Sequence, residues 1–166
     1  MDHGKKFATA FNCMDGRCQD EVRRFACSHS GAGYVDMVAL AGMDGVLAGK
    51  TPAVPLDSAA AIALARYEAE VSTKTHGSTR AFVIGHTGCA GNPVTDEEHM
   101  HDIRKAVETV RSWGLFESVE GLMAMPDALG EWCLYSVEGA APVKVVTGRR
   151  GWGIIRFPML RPQARP

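Results

Sequence analysis

Residues 81–89 read Ala-Phe-Val-Ile-Gly-His-Thr-Gly-Cys. The first five are wholly apolar or glycine. A strand with one wet face alternates apolar and polar residues, so an unbroken apolar run of this length predicts a strand covered on both faces, as in a parallel sheet. Upstream, Asp57 supplies an N-cap, Ala59 to Glu70 are strong helix formers and Gly77 stops the helix. Downstream, Thr95-Asp96-Glu97-Glu98 is a capping box that opens a second helix, running to about Trp113 before Gly114. Further out, Phe7–Asn12 and Tyr34–Leu40 have strand length, with a short helix predicted between them over Gln19–Cys27, stopped by Ser28-His29-Ser30-Gly31. Residues 43–56, with Gly45, Gly49, Pro52 and Pro55, read as a loop. Trp132–Val137 and Val143–Val146 are two late strands, and the proline-bearing tail from Arg156 reads as irregular. Strands alternating with helices predict an α/β fold, a largely parallel β-sheet flanked by helices. In such sheets ligands sit beyond the carboxyl ends of the strands.

The chain has 166 residues with 46% apolar and 22% charged side chains, the balance of one globular domain spanning 1–166. Nineteen acids against 18 bases give a net charge of −1, which argues against a dedicated nucleic-acid binder. No apolar run approaches the roughly 20 residues that span a bilayer. The polar start, Met1 to Lys6, predicts no signal peptide, and five cysteines without one predict reduced thiols in a cytoplasmic protein.

Two motifs fall at predicted strand ends. One is Cys13-x-Asp15-x-Arg17; the other is His86-Thr87-Gly88-Cys89. In a chain of this composition chance supplies about 0.2 H-x-x-C pairs and about 0.02 C-x-D-x-R triplets, so their joint occurrence at strand ends carries weight. Two thiolates and one imidazole make a Cys2His site, and catalytic zinc characteristically has three protein ligands and an open fourth position. Water bound there loses a proton near neutral pH and becomes a hydroxide nucleophile. Asp15 and Arg17 stand two residues apart, so an extended segment would point both the same way, and Arg17 would keep Asp15 ionised. Asp15 could then accept a hydrogen bond from the hydroxide and aim its lone pair.

These two motifs resemble those of the β-class carbonic anhydrases. The similarity covers roughly residues 7–92, including the strand that ends in Ala41-Gly42 and the helix ahead of the zinc strand. It departs at Ala39-Leu40, where the family commonly has Arg-Asn, and at Ala90, where it commonly has Gly. The resemblance implies Zn2+ on Cys13, His86 and Cys89, with Asp15 and Arg17 as the orienting dyad. It implies reversible hydration of carbon dioxide to bicarbonate and a proton, with no nucleic-acid or membrane partner and assembly as a homodimer or higher homo-oligomer. Rival readings are a zinc hydrolase of carbonyl sulfide or carbon disulfide, and a zinc-binding homologue without turnover.

The remaining residues of interest have plainer readings. Cys18, Cys27 and Cys133 are expected as small core residues. His29, His99 and His101 are expected in solvent, with proton shuttling as the alternative. Gly88 and Gly91 are expected to let the backbone turn around the metal. The five arginines from Arg149 to Arg165 are expected to form a solvated or subunit-contacting tail.

Overall fold

The computed structural model describes residues 6–139 and 141–145. Their order is β1 (Phe7–Asn12), α1 (Gly16–Ser30), β2 (Tyr34–Ala39), α2 (Met43–Leu47), α3 (Ser58–His76), β3 (Arg80–His86), α4 (Asp96–Ser112), β4 (Ser118–Pro126), β5 (Trp132–Ser136) and β6 (Val143–Val145). The strands form one sheet in the order β2-β1-β3-β4-β5-β6. The first four run parallel, and β5 and β6 close the far side as antiparallel strands. The expected α/β architecture is present. Val146 and the tail from Arg149 lie outside the described residues.

The apolar run of β3 is covered on both faces, as its composition requires. Phe82 and Ile84 pack with Ala8 and Ala10 of β1 under Val22, Phe25 and Ala26 of α1. Ala81 and Val83 point the other way, into a core with Phe11, Met43 and Leu47 of α2, Ala65 and Ala69 of α3, and Ile103, Val107 and Val110 of α4. Alternate residues of one strand thus feed two separate cores.

The chain leaves β1 toward β2 on one side and returns past β1 to β3 on the other. The direction of winding therefore reverses between β1 and β3, and the position beyond their carboxyl ends is the crevice where sheets of this kind bind ligands. Asn12 pairs with Ile84, so Cys13 lies level with the end of β3, where His86 stands.

Four details differ from the sequence reading. α1 begins at Gly16, with Asp15 as its N-cap, and runs through Ser30 to Gly31 in the left-handed conformation. The expected loop 43–56 opens with the short helix α2, all five of whose residues are buried. β4 was not anticipated. His99 is not solvated but fully buried. Among the described residues no helix is long and apolar enough to cross a membrane.

Candidate metal centre

β1 ends at Asn12, and the chain turns directly into α1. The turn is pinned at the Cys13 carbonyl, which accepts from Asn12 Nδ2 at 3.0 Å and from Gln19 Nε2 at 2.7 Å. Cys13 faces the end of β3, where His86 is the last strand residue and Cys89 follows after the Thr87-Gly88 turn. The ligand atoms of Cys13, His86 and Cys89 all lie within 4.8 Å of one another, and the two sulfurs are 3.7 Å apart. The three residues are 5%, 1% and 2% exposed. Among the described residues this is the one such group of His, Cys and acidic side chains able to hold a metal ion.

The donor set fits a zinc ion. His86 Nδ1 donates to the Thr87 carbonyl at 3.0 Å, which leaves the lone pair on Nε2. That atom is buried with no hydrogen-bond partner, and an orphaned buried nitrogen is costly unless something occupies it. A ring held by one N–H to a carbonyl, with its other nitrogen bare beside two sulfurs, has the outer-shell arrangement of a zinc-ligating histidine.

The two thiols and the imidazole perturb one another. The Cys13 thiol is drawn down to about 4, chiefly by its hydrogen bond with Cys89, against burial and with help from His86 and the Gly42 amide. Cys89 is pushed up by the same neighbour and then by burial, so the two thiols titrate as a pair. Burial opposes charge on His86, but the Cys13 sulfur and the Thr87 carbonyl more than offset it and hold its pKa above the ordinary histidine value. Such a cluster of donors could exchange its protons for a cation.

Asp15 and Arg17 also meet at this crevice, though not through an extended segment. Asp15 caps α1: its Oδ1 accepts from the Arg17 backbone N–H at 2.9 Å. The Arg17 side chain folds back so that Nε lies 3.0 and 3.1 Å from Oδ1 and Oδ2, with Nη2 2.6 Å from Oδ2. This fork holds the Asp15 carboxyl down to about 2, with the backbone N–H of Arg17 assisting. Asp15 Oδ2 also stands 3.9 Å from His86 Nε2, and Arg17 Nη2 reaches the Gly88 carbonyl at 3.4 Å.

Sequence reasoning missed Trp132. Its ring lies 5.2 Å from the Arg17 guanidinium carbon and meets His86 edge-on at 6.2 Å. Trp132 opens β5 and pairs with Pro126 of β4, so only recognition of the β4–β5 hairpin could have placed it. Of the other cysteines, Cys18 and Cys133 are buried and Cys27 partly so. Burial raises the Cys18 thiol to about 11, leaving it inert beside the cluster. His29 is exposed and pairs with Glu120 at 3.0 Å.

Fold and site together define an α/β protein with a buried Cys2His cluster at the winding reversal of a mostly parallel sheet. A family model described as "Putative carbonic anhydrase" matches residues 3–137, and the chain belongs to that family. No curated protein matches it. Among solved structures it is similar to a β-carbonic anhydrase, isoform I, from Trichomonas vaginalis, with a TM-score of 0.43, 18% identity and coverage of 76% of this chain and 80% of that one. It is also similar to a carbonic anhydrase from Glaciozyma antarctica, with a TM-score of 0.45, 17% identity and coverage of 86% and 83% respectively.

Proposed function

We propose that the chain is a zinc-dependent carbonic anhydrase that hydrates carbon dioxide reversibly to bicarbonate and a proton. The observation that carries this reading is the buried Cys13–His86–Cys89 cluster with its bare His86 Nε2; family membership supports it. Cys13, His86 and Cys89 would hold the ion, which supplies Lewis acidity that makes water a nucleophile near neutral pH. Asp15 then acts as a fixed acceptor at the mouth of the site. Arg17 keeps that carboxylate ionised and prevents its rotation, because its Nε reaches Oδ1 while its Nη2 reaches Oδ2. Asp15 can therefore take a hydrogen bond from the attacking water and present its lone pair to the substrate carbon. Trp132 stands at the same mouth beside Arg17 and His86. The protein works as a homodimer in the cytoplasm, where its five free thiols stay reduced.

The test is metal content followed by stopped-flow hydration with a pH indicator. One zinc per chain together with carbon dioxide turnover is expected. Sulfide release from carbonyl sulfide without hydration would reassign the substrate, and stoichiometric zinc with neither activity would make the protein a non-catalytic homologue. Full activity from a particle that light scattering shows to be monomeric would remove the dimer.

A further inference from the structure

Behind the cluster lies a second set of polar side chains that the proposed reaction does not use. Asp44, Asn92, His99 and Asp102 are all buried, and they come from α2, the loop after Cys89, and α4. Asn92 Nδ2 donates to Asp44 Oδ2 at 3.1 Å and to Asp102 Oδ2 at 3.0 Å, so its amide spends both hydrogens on two carboxylates. Each carboxylate has one further partner: His99 Nδ1 lies 2.5 Å from Asp44 Oδ2, and Lys50 Nζ lies 2.6 Å from Asp102 Oδ2. Apolar packing would hold these elements together at least as well as buried charge does, so the use of such a network is to fix register.

The segments it fixes are those that surround the metal ligands. Asn92 follows Cys89 by three residues, and Asp44 follows Gly42 by two. The Gly42 and Gly91 backbones press together so closely that a Cβ on Gly42 would lie 2.5 Å from the Gly91 carbonyl carbon. Asp44 Oδ2 sits over Gly85, immediately before His86; a Cβ there would lie 2.7 Å from it. The Gly42 backbone helps lower the Cys13 thiol, and the Gly91 and Asn92 backbones act in the same direction on Cys89. Outer contacts of this kind orient metal ligands and set affinity.

We propose that Asn92 is a positioning residue for the metal centre. By bridging Asp44 and Asp102 it clamps the Gly91–Asn92 loop, which follows Cys89, against the Gly42 loop and so fixes where the Cys89 sulfur stands beside that of Cys13. An amide is the side chain this geometry demands, because a carboxylate would add a third acceptor and an aliphatic isostere would leave two buried carboxylates short of a donor. The inference rests on the reading of Cys13, His86 and Cys89 as zinc ligands.

The test uses the full chain, with zinc affinity measured by competition with a chromophoric chelator and the thiolate-to-metal absorption band recorded after cobalt substitution. Asn92→Ala removes the bridge. Gly45→Ala keeps every polar group but places a Cβ 2.7 Å from Asn92 Cγ, so it displaces the same side chain and carries the test if Asn92→Ala does not fold. Both are expected to weaken zinc binding about 10–100-fold and to shift the cobalt band. The control is Ser72→Ala, which breaks a buried hydroxyl chain with Thr9 and Asp36 toward the other end of the strands. It should lower thermal stability yet leave zinc affinity within about twofold, because distant sites act independently. Wild-type affinity in Gly45→Ala and in any folded Asn92→Ala, or an equal loss in Ser72→Ala, overturns the proposal. A wild-type chain that binds no zinc overturns the ligand assignment and this proposal with it. One that binds zinc but hydrates nothing overturns only the reaction.

Discussion

His86 shows how one hydrogen bond assigns a role. With Nδ1 committed to the Thr87 carbonyl, Nε2 has nowhere to go but toward the Cys13 and Cys89 sulfurs. Removing one sulfur leaves two donors, too few for tight zinc binding. Cys89→Ser is therefore expected to lose most of its zinc, whereas Cys27→Ser, with its thiol outside the cluster, should keep one ion per chain; metal analysis of the two purified variants compares them. Arg17 makes no hydrogen bond to the three cluster side chains but holds both oxygens of Asp15. Arg17→Ala should retain zinc while hydration falls about 100-fold, the scale of loss when a positioned group goes slack; stopped-flow assay of the zinc-loaded variant decides, and near-normal turnover would remove Arg17 from the mechanism. The meeting of Cys13, His86 and Cys89 was legible in the sequence because two share one short turn and the third follows a recognisable strand. Trp132 was not, since its approach depends on pairing between β4 and β5.

At the scale of elements, legibility followed local chemistry. α3 and α4 begin and end where their caps say. Asp57 accepts from the Ala59 and Ala60 amides at 3.0 and 3.1 Å, and Thr95 with Glu98 closes a reciprocal capping box. Asp57→Ala removes an acceptor from two otherwise orphaned donors and should cost about 1 kcal/mol, visible as a lower urea midpoint with an unchanged slope. The elements that escaped notice are held from outside themselves. α2 carries Gly45 in its middle and is followed by Gly49, Pro52 and Pro55, which read as a loop; it is a helix because surrounding elements bury every residue of it. β4 has Gly121 at its centre, which weakens its pattern, and a Cβ there would lie 2.8 Å from both Ile103 Cγ2 and Val137 Cγ2. The glycine that hid the strand is what lets α4 pack on it. α1 was placed too late because its cap, Asp15, looked like part of a polar turn; the same carboxylate both starts the helix and receives the Arg17 fork.

Over the whole molecule, one contribution to acid sensitivity comes from an ion pair at the β4–β5 turn. Asp127, in the turn between β4 and β5, accepts from the Leu129 and Glu131 amides and from Lys144 Nζ of β6 at 2.9 Å. The Lys144 contact, then the turn amides, lower its pKa from 3.8 to about 2. A carboxyl whose folded pKa is depressed lends stability that is present above its unfolded pKa and is lost as pH falls through the folded one. The melting-temperature gap between wild type and Asp127→Asn should therefore be widest near neutral pH and should close as pH falls from about 4 to about 2. A gap of constant size across that window would show that the Asp127 charge lends the fold no stability.

The ligand spacing has a consequence for how the molecule is tied together. His86 and Cys89 belong to a single turn and form a two-donor pinch that needs no long-range contact. Cys13 joins them across 76 residues, and only because β1 and β3 are neighbours. Drawing such distant points together costs chain entropy whether a covalent bond or an ion does it. An ion spanning both sides is then a rivet through the middle of the sheet, and its binding free energy is spent partly on keeping the first strand seated against the third. Stripping it out with a chelator would do more than empty a crevice: it would slacken the central seam that everything on either side is wound around.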